Sequence, residues 1–362
     1  MRSKVAGYRR LGVAVVGAGY WGPNLVRNFC ANPQCELLWV CDLRPARAQE
    51  VIGHRSSVRV TDALDTVLRD EDVEVVAVAT PTHTHFAIAK AALLAGKHVL
   101  IEKPLAGSVA DAEALIELAD RQRRVLMCDH TYCYTPAVRR ICSLIADGSL
   151  GSLQYLDSVR INLGLIQKDV DVFWDLAPHD LSILDFVLPP ECRPLAVAAH
   201  GADPIGVGRA CVGYLTLPLT GGGIAHLHVN WLSPTKIRTT IIGGSRRMLV
   251  WDDLNPSQRL SLYDRGVELT EGLSPEMQRS VLVSYRSGDM IAPALPEQEA
   301  LQGVVAELVA AIGEERRPLT DGQSGLRVLR ILDAASRSLR ADGAPIALGG
   351  AELAVPTMAA AG

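Results

Sequence analysis

Several kinds of feature are missing from this chain, and each absence excludes a class of function. Acidic residues (40) barely outnumber basic ones (36), and the net charge is −4. That balance makes no electrostatic case for nucleic acid or an anionic membrane as a partner. No apolar run approaches the roughly 18 residues that a spanning helix requires. Met1–Arg10 is basic, but Leu11–Val16 is too short for the core of a secretory signal and opens a strand instead, so a cytoplasmic protein is expected. None of the eight cysteines stands in a Cys-x-x-Cys pair, and no Cys/His grouping has zinc-finger spacing. Free thiols in a reducing compartment are expected, and no metal. There is no internal repeat. What remains is an ordinary globular composition, 48% hydrophobic and 21% charged, in 362 residues that can hold two substantial domains.

Against that background one stretch stands out. Val13-Ala14-Val15-Val16 runs directly into Gly17-x-Gly19-x-x-Gly22, and an apolar helical pattern follows through Leu25, Val26 and Phe29. Strand, tight glycine turn and helix form the context in which this spacing means dinucleotide binding. Gly17 permits the turn, Gly19 lets the backbone approach a pyrophosphate, and Gly22 lets the helix sit close to the strand. The helix N-terminus adds unpaired N–H groups and the positive end of its dipole. An acidic residue is required about 20 residues later, and Asp42 ends the next strand, Glu36–Cys41. There it can accept both ribose hydroxyls and repel a 2′-phosphate, which favours NAD over NADP. Arg44 and Arg47 follow, either as NADP-favouring charges or as solvated residues at a helix start.

The alternation continues. Val58–Val60 predicts a short strand, Asp62–Asp70 a helix, and Val73–Ala79 a strand apolar enough to be buried on both faces. It leads into Thr80-Pro81-Thr82-His83-Thr84-His85, a loop placed to meet the nicotinamide ribose, whose histidines could equally cap the helix Phe86–Ala95. His98–Ile101 is another buried strand and ends in Glu102-Lys103-Pro104; helix Val109–Arg121 and strand Val125–Cys128 complete the series. From about Tyr132 the pattern changes. After a helix at Pro136–Asp147 come strands at Leu153–Leu163, Leu195–His200, Ala210–Leu217, Gly223–Trp231, Ile237–Gly243, Met248–Asp252 and Arg259–Tyr263, with one helix, Val172–Val187, among them. Helices at Glu297–Glu315 and Ser324–Ala341 follow, then an Ala/Gly-rich tail expected to fray. The fold class is α/β: an N-terminal Rossmann parallel sheet at 1–131, then an α/β domain with a mostly antiparallel open sheet at 132–350, and a tail at 351–362.

The glycine turn, Glu102-Lys103-Pro104 and Trp174-Asp175-Leu176-Ala177-Pro178-His179-Asp180 together resemble the Gfo/Idh/MocA family of oxidoreductases, over nearly the whole chain. The resemblance implies NAD(P)-dependent oxidation or reduction of hydroxyls on sugars and cyclitols. It also implies a homo-oligomer, dimer or tetramer, built through the C-terminal sheet, and Lys103, Asp175 and His179 as catalytic residues. In similar proteins the Lys–Pro bond is often cis. Cofactor contacts are expected at Gly17, Gly19, Tyr20, Trp21, Gly22, Asp42, Leu43, Thr80, Pro81, His85, Glu102 and Lys103. Substrate contacts are expected at Lys103, Arg160, Asn162, Asp175, His179 and Lys236. Independent chemistry agrees: Asp175 and His179 are four apart and share a helix face, histidine suits proton transfer near neutral pH, and Lys103 stands at a parallel-strand C-terminus. Arg160 and Asn162 share one face of a strand, and Trp231, Lys236 and Arg238 line either a cleft or an oligomer surface. Gln167, Lys168 and Asp169 are further candidates, and Asp180 is a substrate contact or a carboxylate without a role.

Trp174–Asp185, with Asn162-Leu163-Gly164, resembles the subgroup acting on nucleotide sugars and sugars of antibiotic pathways. That implies oxidation of a ring hydroxyl, commonly at C3, of a hexose unit in a nucleotide sugar or aminoglycoside. The alternatives are a 3-ketosugar reductase, an inositol dehydrogenase, or a non-catalytic NAD-binding regulator.

Overall fold

The computed structural model describes residues 10–167, 170–269 and 283–349. Lys168, Asp169 and the expected frayed tail lie outside them. The chain divides into two compact units. The first comprises Met1–Arg139, Leu181–Phe186 and Pro296–Arg330; the second comprises Arg140–Asp180, Val187–Leu295 and Ile331–Gly362. After Arg139 the chain returns twice to its first unit.

In chain order the helices are α1 (Gly22–Ala31), α2 (Pro45–Ile52), α3 (Leu64–Arg69), α4 (Thr82–Leu94), α5 (Val109–Gln122), α6 (Pro136–Ala146), α7 (Val172–Val187), α8 (Ala300–Gly313) and α9 (Gly322–Arg340). The first unit is built on β1 (Leu11–Val16), β2 (Cys35–Cys41), β3 (Arg59–Thr61), β4 (Val75–Val78), β5 (His98–Glu102) and β6 (Leu126–Asp129). Their order is β3-β2-β1-β4-β5-β6, and every pairing is parallel. All four residues of β4 are buried, as a strand covered on both faces requires. The order reverses between β1 and β4, so the crevice above their C-terminal ends is where a ligand binds in such sheets. One face carries Leu25, Val26 and Phe29 of α1 in the same core as Val304, Val305 and Leu308 of α8. Burying an aliphatic side chain of this size stabilises the fold by roughly 1.5–3 kcal/mol, which is reason enough for the late α8 to return here. Glu299, just before α8, accepts two hydrogen bonds from Arg27 and one from Asn28 of α1.

The second unit holds β7 (Leu153–Leu163), β8 (Ala196–Ala202), β9 (Val212–Pro218), β10 (Ile224–Asn230), β11 (Leu232–Gly244), β12 (Met248–Asp252), β13 (Leu260–Leu269), β14 (Val283–Ile291) and β15 (Ile346–Ala347). The order is β14-β13-β12-β11-β7-β10-β9-β8-β15, antiparallel throughout except for β10 on β7. Along β9 and β10 burial alternates, placing Leu215, Leu217, Ala225, Leu227 and Val229 inside while Tyr214 and Ile224 stay open.

Two departures from the sequence pattern have local causes. β11 begins at Leu232 rather than Ile237, because the register slips between those residues, around Pro234. β14 is an edge strand whose polar run Ser287-Gly288-Asp289 shows no apolar alternation.

Candidate active site

The glycine turn has the shape its spacing predicts. Gly17 has φ +100°, a left-handed conformation that favours glycine. A Cβ on Gly22 would overlap the Gly17 carbonyl, so only glycine lets α1 start this close to β1. A Cβ on Gly19 would meet nothing nearer than the Ala79 carbonyl oxygen at 3.9 Å, which leaves an open cradle over the backbone. No side chain caps α1 at its N-terminus, so its dipole faces that cradle without an internal anion. Asp42 is held in place from both sides: Oδ2 accepts from the Ala18 amide at 2.8 Å, and Oδ1 accepts from the Arg44 amide at 2.8 Å. Each carboxylate oxygen keeps acceptor capacity for a ribose hydroxyl. Tyr20 and Leu43 flank the turn and are both 89% exposed. An open phosphate cradle, an uncapped helix and an anchored acid fit NAD.

At the ends of β4 and β5 the cofactor-loop residues serve the protein first. His85 is 1% exposed. Its Nδ1 lies 2.9 Å from the Pro104 carbonyl and its Nε2 lies 2.8 Å from the Thr80 carbonyl. Both ring nitrogens face backbone carbonyls, so His85 joins the loop after β4 to the loop after β5. Burial lowers its pKa. Thr84 Oγ1 donates to Thr80 Oγ1 at 2.7 Å, and Pro81 sits at the N-cap of α4. The Lys103–Pro104 bond is cis, and Lys103 is half-buried at the end of β5.

Trp21 also turns inward: its Nε1 donates to Asp129 Oδ2 at 3.0 Å. Asp129 ends β6 directly beside Glu102 on β5 and accepts a second bond from Thr131 Oγ1 at 2.7 Å on Oδ1. Glu102 and Asp129 are hydrogen-bonded to each other. Burial, and then the Asp129 charge, hold the Glu102 carboxyl well above the usual carboxylate range. Next to Asp129, burial pushes the His130 pKa down to about 4. Asp129 and His130 were not among the expected site residues, although β6 ends its apolar run on an acid at the same level where β5 ends on Glu102.

In the second unit, α7 is fixed at its start. Asp171 Oδ1 accepts from the backbone amides of Phe173 and Trp174, each at 3.0 Å, as a helix cap does. The Phe173 ring lies against Gly213 of β9 and Gly201 of β8; a Cβ at Gly213 would overlap it. Trp174 Nε1 donates to Ser336 Oγ on α9 at 2.9 Å. Asp175, in the first turn, accepts from the buried Trp231 Nε1 at 2.9 Å on Oδ2. One turn further on, the half-buried His179 projects from the same side. Asp175 and His179 are thus brought together on one oriented helix face.

Other expected contacts are used differently. Arg160 is 3% exposed and its guanidinium grips Asp180, through Nε at 2.7 Å and Nη2 at 3.0 Å. Ser158 Oγ adds a bond to Asp180 at 2.9 Å. Arg160 ties β7 to α7, with Asp180 as its partner. Asn162 lies two residues along the same strand face and is half-buried. Lys236 is exposed where β11 slips register. Arg238 Nη1 lies 4.0 Å from Asp253. Among the described residues no cluster of His, Cys, Asp and Glu could hold a metal.

Residues 11–130 match the model of the oxidoreductase family with an NAD-binding Rossmann fold, Gfo/Idh/MocA. Over 316 residues the chain is 29% identical to UDP-N-acetylglucosamine 3-dehydrogenase of Acidithiobacillus ferrooxidans, covering 87% of this chain and 93% of that protein. A solved structure of that enzyme aligns with a TM-score of 0.76 at 27% identity, over 92% of this chain and 98% of the other. GenD2 from gentamicin A biosynthesis, solved with NAD, aligns with a TM-score of 0.78 at 25% identity, over 97% and 99% of the two chains. Inositol 2-dehydrogenase of Rhizobium meliloti is 24% identical over 339 residues, 90% of this chain and 96% of that one. The dinucleotide turn and the Lys103 motif fall within the stretch that matches the Gfo/Idh/MocA model, and the likeness to these dehydrogenases continues past the Asp175/His179 motif over most of the chain.

Proposed function

We propose that this protein is an NAD-dependent dehydrogenase that oxidises a ring hydroxyl, at C3, of a hexose unit carried in a nucleotide sugar or an aminoglycoside. The observation that carries the reading is the Asp175/His179 face of α7, with Asp175 held by the Trp231 indole, in a chain that also has the NAD turn. The likeness to UDP-N-acetylglucosamine 3-dehydrogenase and to GenD2 supports the substrate class.

Bound NAD supplies the hydride acceptor. His179 takes the proton of the reacting hydroxyl, a role suited to an imidazole near neutral pH. Asp175 accepts a hydrogen bond from a neighbouring sugar hydroxyl; Trp231 fixes its carboxylate in advance, so little orientational freedom is lost on binding. Lys103 donates to the oxygen as negative charge develops there, a contribution strongest where water is excluded. Asp42 and the Gly17–Gly22 turn hold the adenosine half and the pyrophosphate. All eight cysteines are free thiols, which suits the reducing cytoplasm. The open sheet face bearing Tyr214 (41% exposed) and Ile224 (45% exposed) suits a homo-oligomer.

The test is a panel of nucleotide sugars, aminoglycoside precursors, free hexoses and inositols mixed with protein and NAD. Reduced-nicotinamide absorbance is followed and the product identified. A ketone on a hexose ring carries the reading. Turnover confined to inositol, or NAD binding with no turnover on any polyol, would overturn it.

A further inference from the structure

The carboxyl pair at the ends of β5 and β6 has a use that the hydride-transfer scheme leaves open. Glu102 and Asp129 are register partners on adjacent parallel strands. Asp129 is 1% exposed, and each of its oxygens already accepts one neutral donor, Trp21 Nε1 at 3.0 Å and Thr131 Oγ1 at 2.7 Å. The Lys103 backbone amide donates to the Glu102 carboxyl. Glu102 Oε2 is shut off from solvent and meets no donor. A buried carboxylate beside a half-buried one whose Oε2 is shut off from solvent disfavours ionisation of both, because an acceptor facing an acceptor gains nothing and the like charges repel. One proton between them turns the repulsion into an O–H donor. Asp129, with two donors already in place, is the better anion; Glu102, with an orphaned oxygen, is the better acid.

We propose that Glu102 and Asp129 hold a single proton between them, carried on Glu102, and that the pair is a positioning device for Lys103: a carboxylic acid clasping its backbone and one fixed negative charge beside its ammonium. The proposal rests on the reading of Lys103 as the donor to the substrate oxygen. The surroundings agree with a single charge. The direction of the Glu102 shift, upward through burial and the Asp129 charge, is the one a retained proton requires. Cys128, between the two strands' ends, is raised by burial and stays a neutral thiol. Beyond the pair, Cys133 acts on Cys128, and Asp185 and Arg327 act on His130. With its pKa pushed down to about 4, His130 is neutral at pH 7. Asp185 and Arg327 neutralise one another at 2.6 Å.

The device makes an asymmetric prediction. Glu102→Gln replaces a neutral acid by a neutral amide that can still donate to Asp129. Asp129→Asn removes the one negative charge. The alkaline limb of the kcat/KM–pH profile reads the loss of a negative charge at the site. In D129N the limb should move to lower pH by about one unit. In E102Q kcat should fall by no more than about tenfold while the limb stays in place. Equal shifts in both variants would mean two carboxylates and overturn the proposal, as would a limb that moves in neither. Infrared spectroscopy of the wild-type protein at pH 7 reads the proton without any turnover. A protonated-carboxyl C=O band that disappears in E102Q supports the shared proton, and its absence from the wild type refutes it. Lys103→Met separates the two readings: full turnover in that variant would remove Lys103 from the reaction, while the infrared band would still report whether the pair holds its proton.

Discussion

Asp129 and Asp180 are both aspartates and both at least 96% buried, one beside Glu102 across the sheet and the other next to His179 along the chain. Their charges are handled in opposite ways. Asp180 receives a bidentate arginine and a serine hydroxyl, so its charge is cancelled by a second fixed charge. Asp129 receives an indole, a threonine hydroxyl and another carboxyl, with no arginine among its bonds. The first arrangement is a strut: a guanidinium cannot give up its proton, so the bond between β7 and α7 holds at any ordinary pH. The second keeps a proton that can be shared and a charge that can act on Lys103. Where geometry must be fixed, the protein uses an ion pair; where a field must be set, it uses a proton.

Breaking the strut should have the largest effect on stability. Arg160→Met strands a buried Asp180 and should lower unfolding stability by about 3–5 kcal/mol, read from urea midpoints. Adding Asp180→Leu should recover most of that loss, since it removes the uncompensated charge. A single variant that unfolds no more easily than wild type would show that the pair is not the strut. The neighbourhood of Asp129 should behave differently with pH. His130 titrates near pH 6.5 when unfolded but near about 4 when folded. The unfolded chain therefore binds more protons between those values, and stability falls as pH drops through them, by about 3 kcal/mol in total. His130→Asn should flatten that part of the stability–pH curve. A slope unchanged in the variant would assign the loss to other groups. Thr131→Val removes one neutral donor from Asp129 and should cost about 1.5–3 kcal/mol. Unlike the Arg160 change, it leaves no countercharge stranded.

The parts of the molecule legible in the sequence were those set by local rules. Val13–Val16 running into Gly17, and the all-apolar Val75–Val78, declare buried parallel strands, because covering both faces leaves no room for alternation. Asp42 was legible because its distance from the glycines is fixed by one helix and one strand. The Asp175/His179 face followed from helical spacing alone. The rest depended on partners distant in the chain. The sequence does not show that Asp180, 20 residues on, takes the Arg160 guanidinium. Nor does it show that the His85 ring faces two carbonyls, one of them 19 residues away at Pro104. Asp129 was invisible because nothing in a strand's sequence says which strand will lie beside it; only the pairing of β5 with β6 brings it to Glu102. The return of α8 to the first unit was hidden for the same reason, its apolar face fitting either domain until Leu25 and Phe29 received it.

The central claim is that NAD is held by one set of residues and hydroxyl oxidation is carried out by another. His179→Ala tests that separation most directly, by NAD titration and by turnover with whichever hexose substrate the panel identifies. The account predicts an NAD dissociation constant within about twofold of wild type, together with a loss of turnover of about 10²–10⁴-fold, the usual contribution of a general base. Turnover close to wild type with NAD binding intact would contradict it.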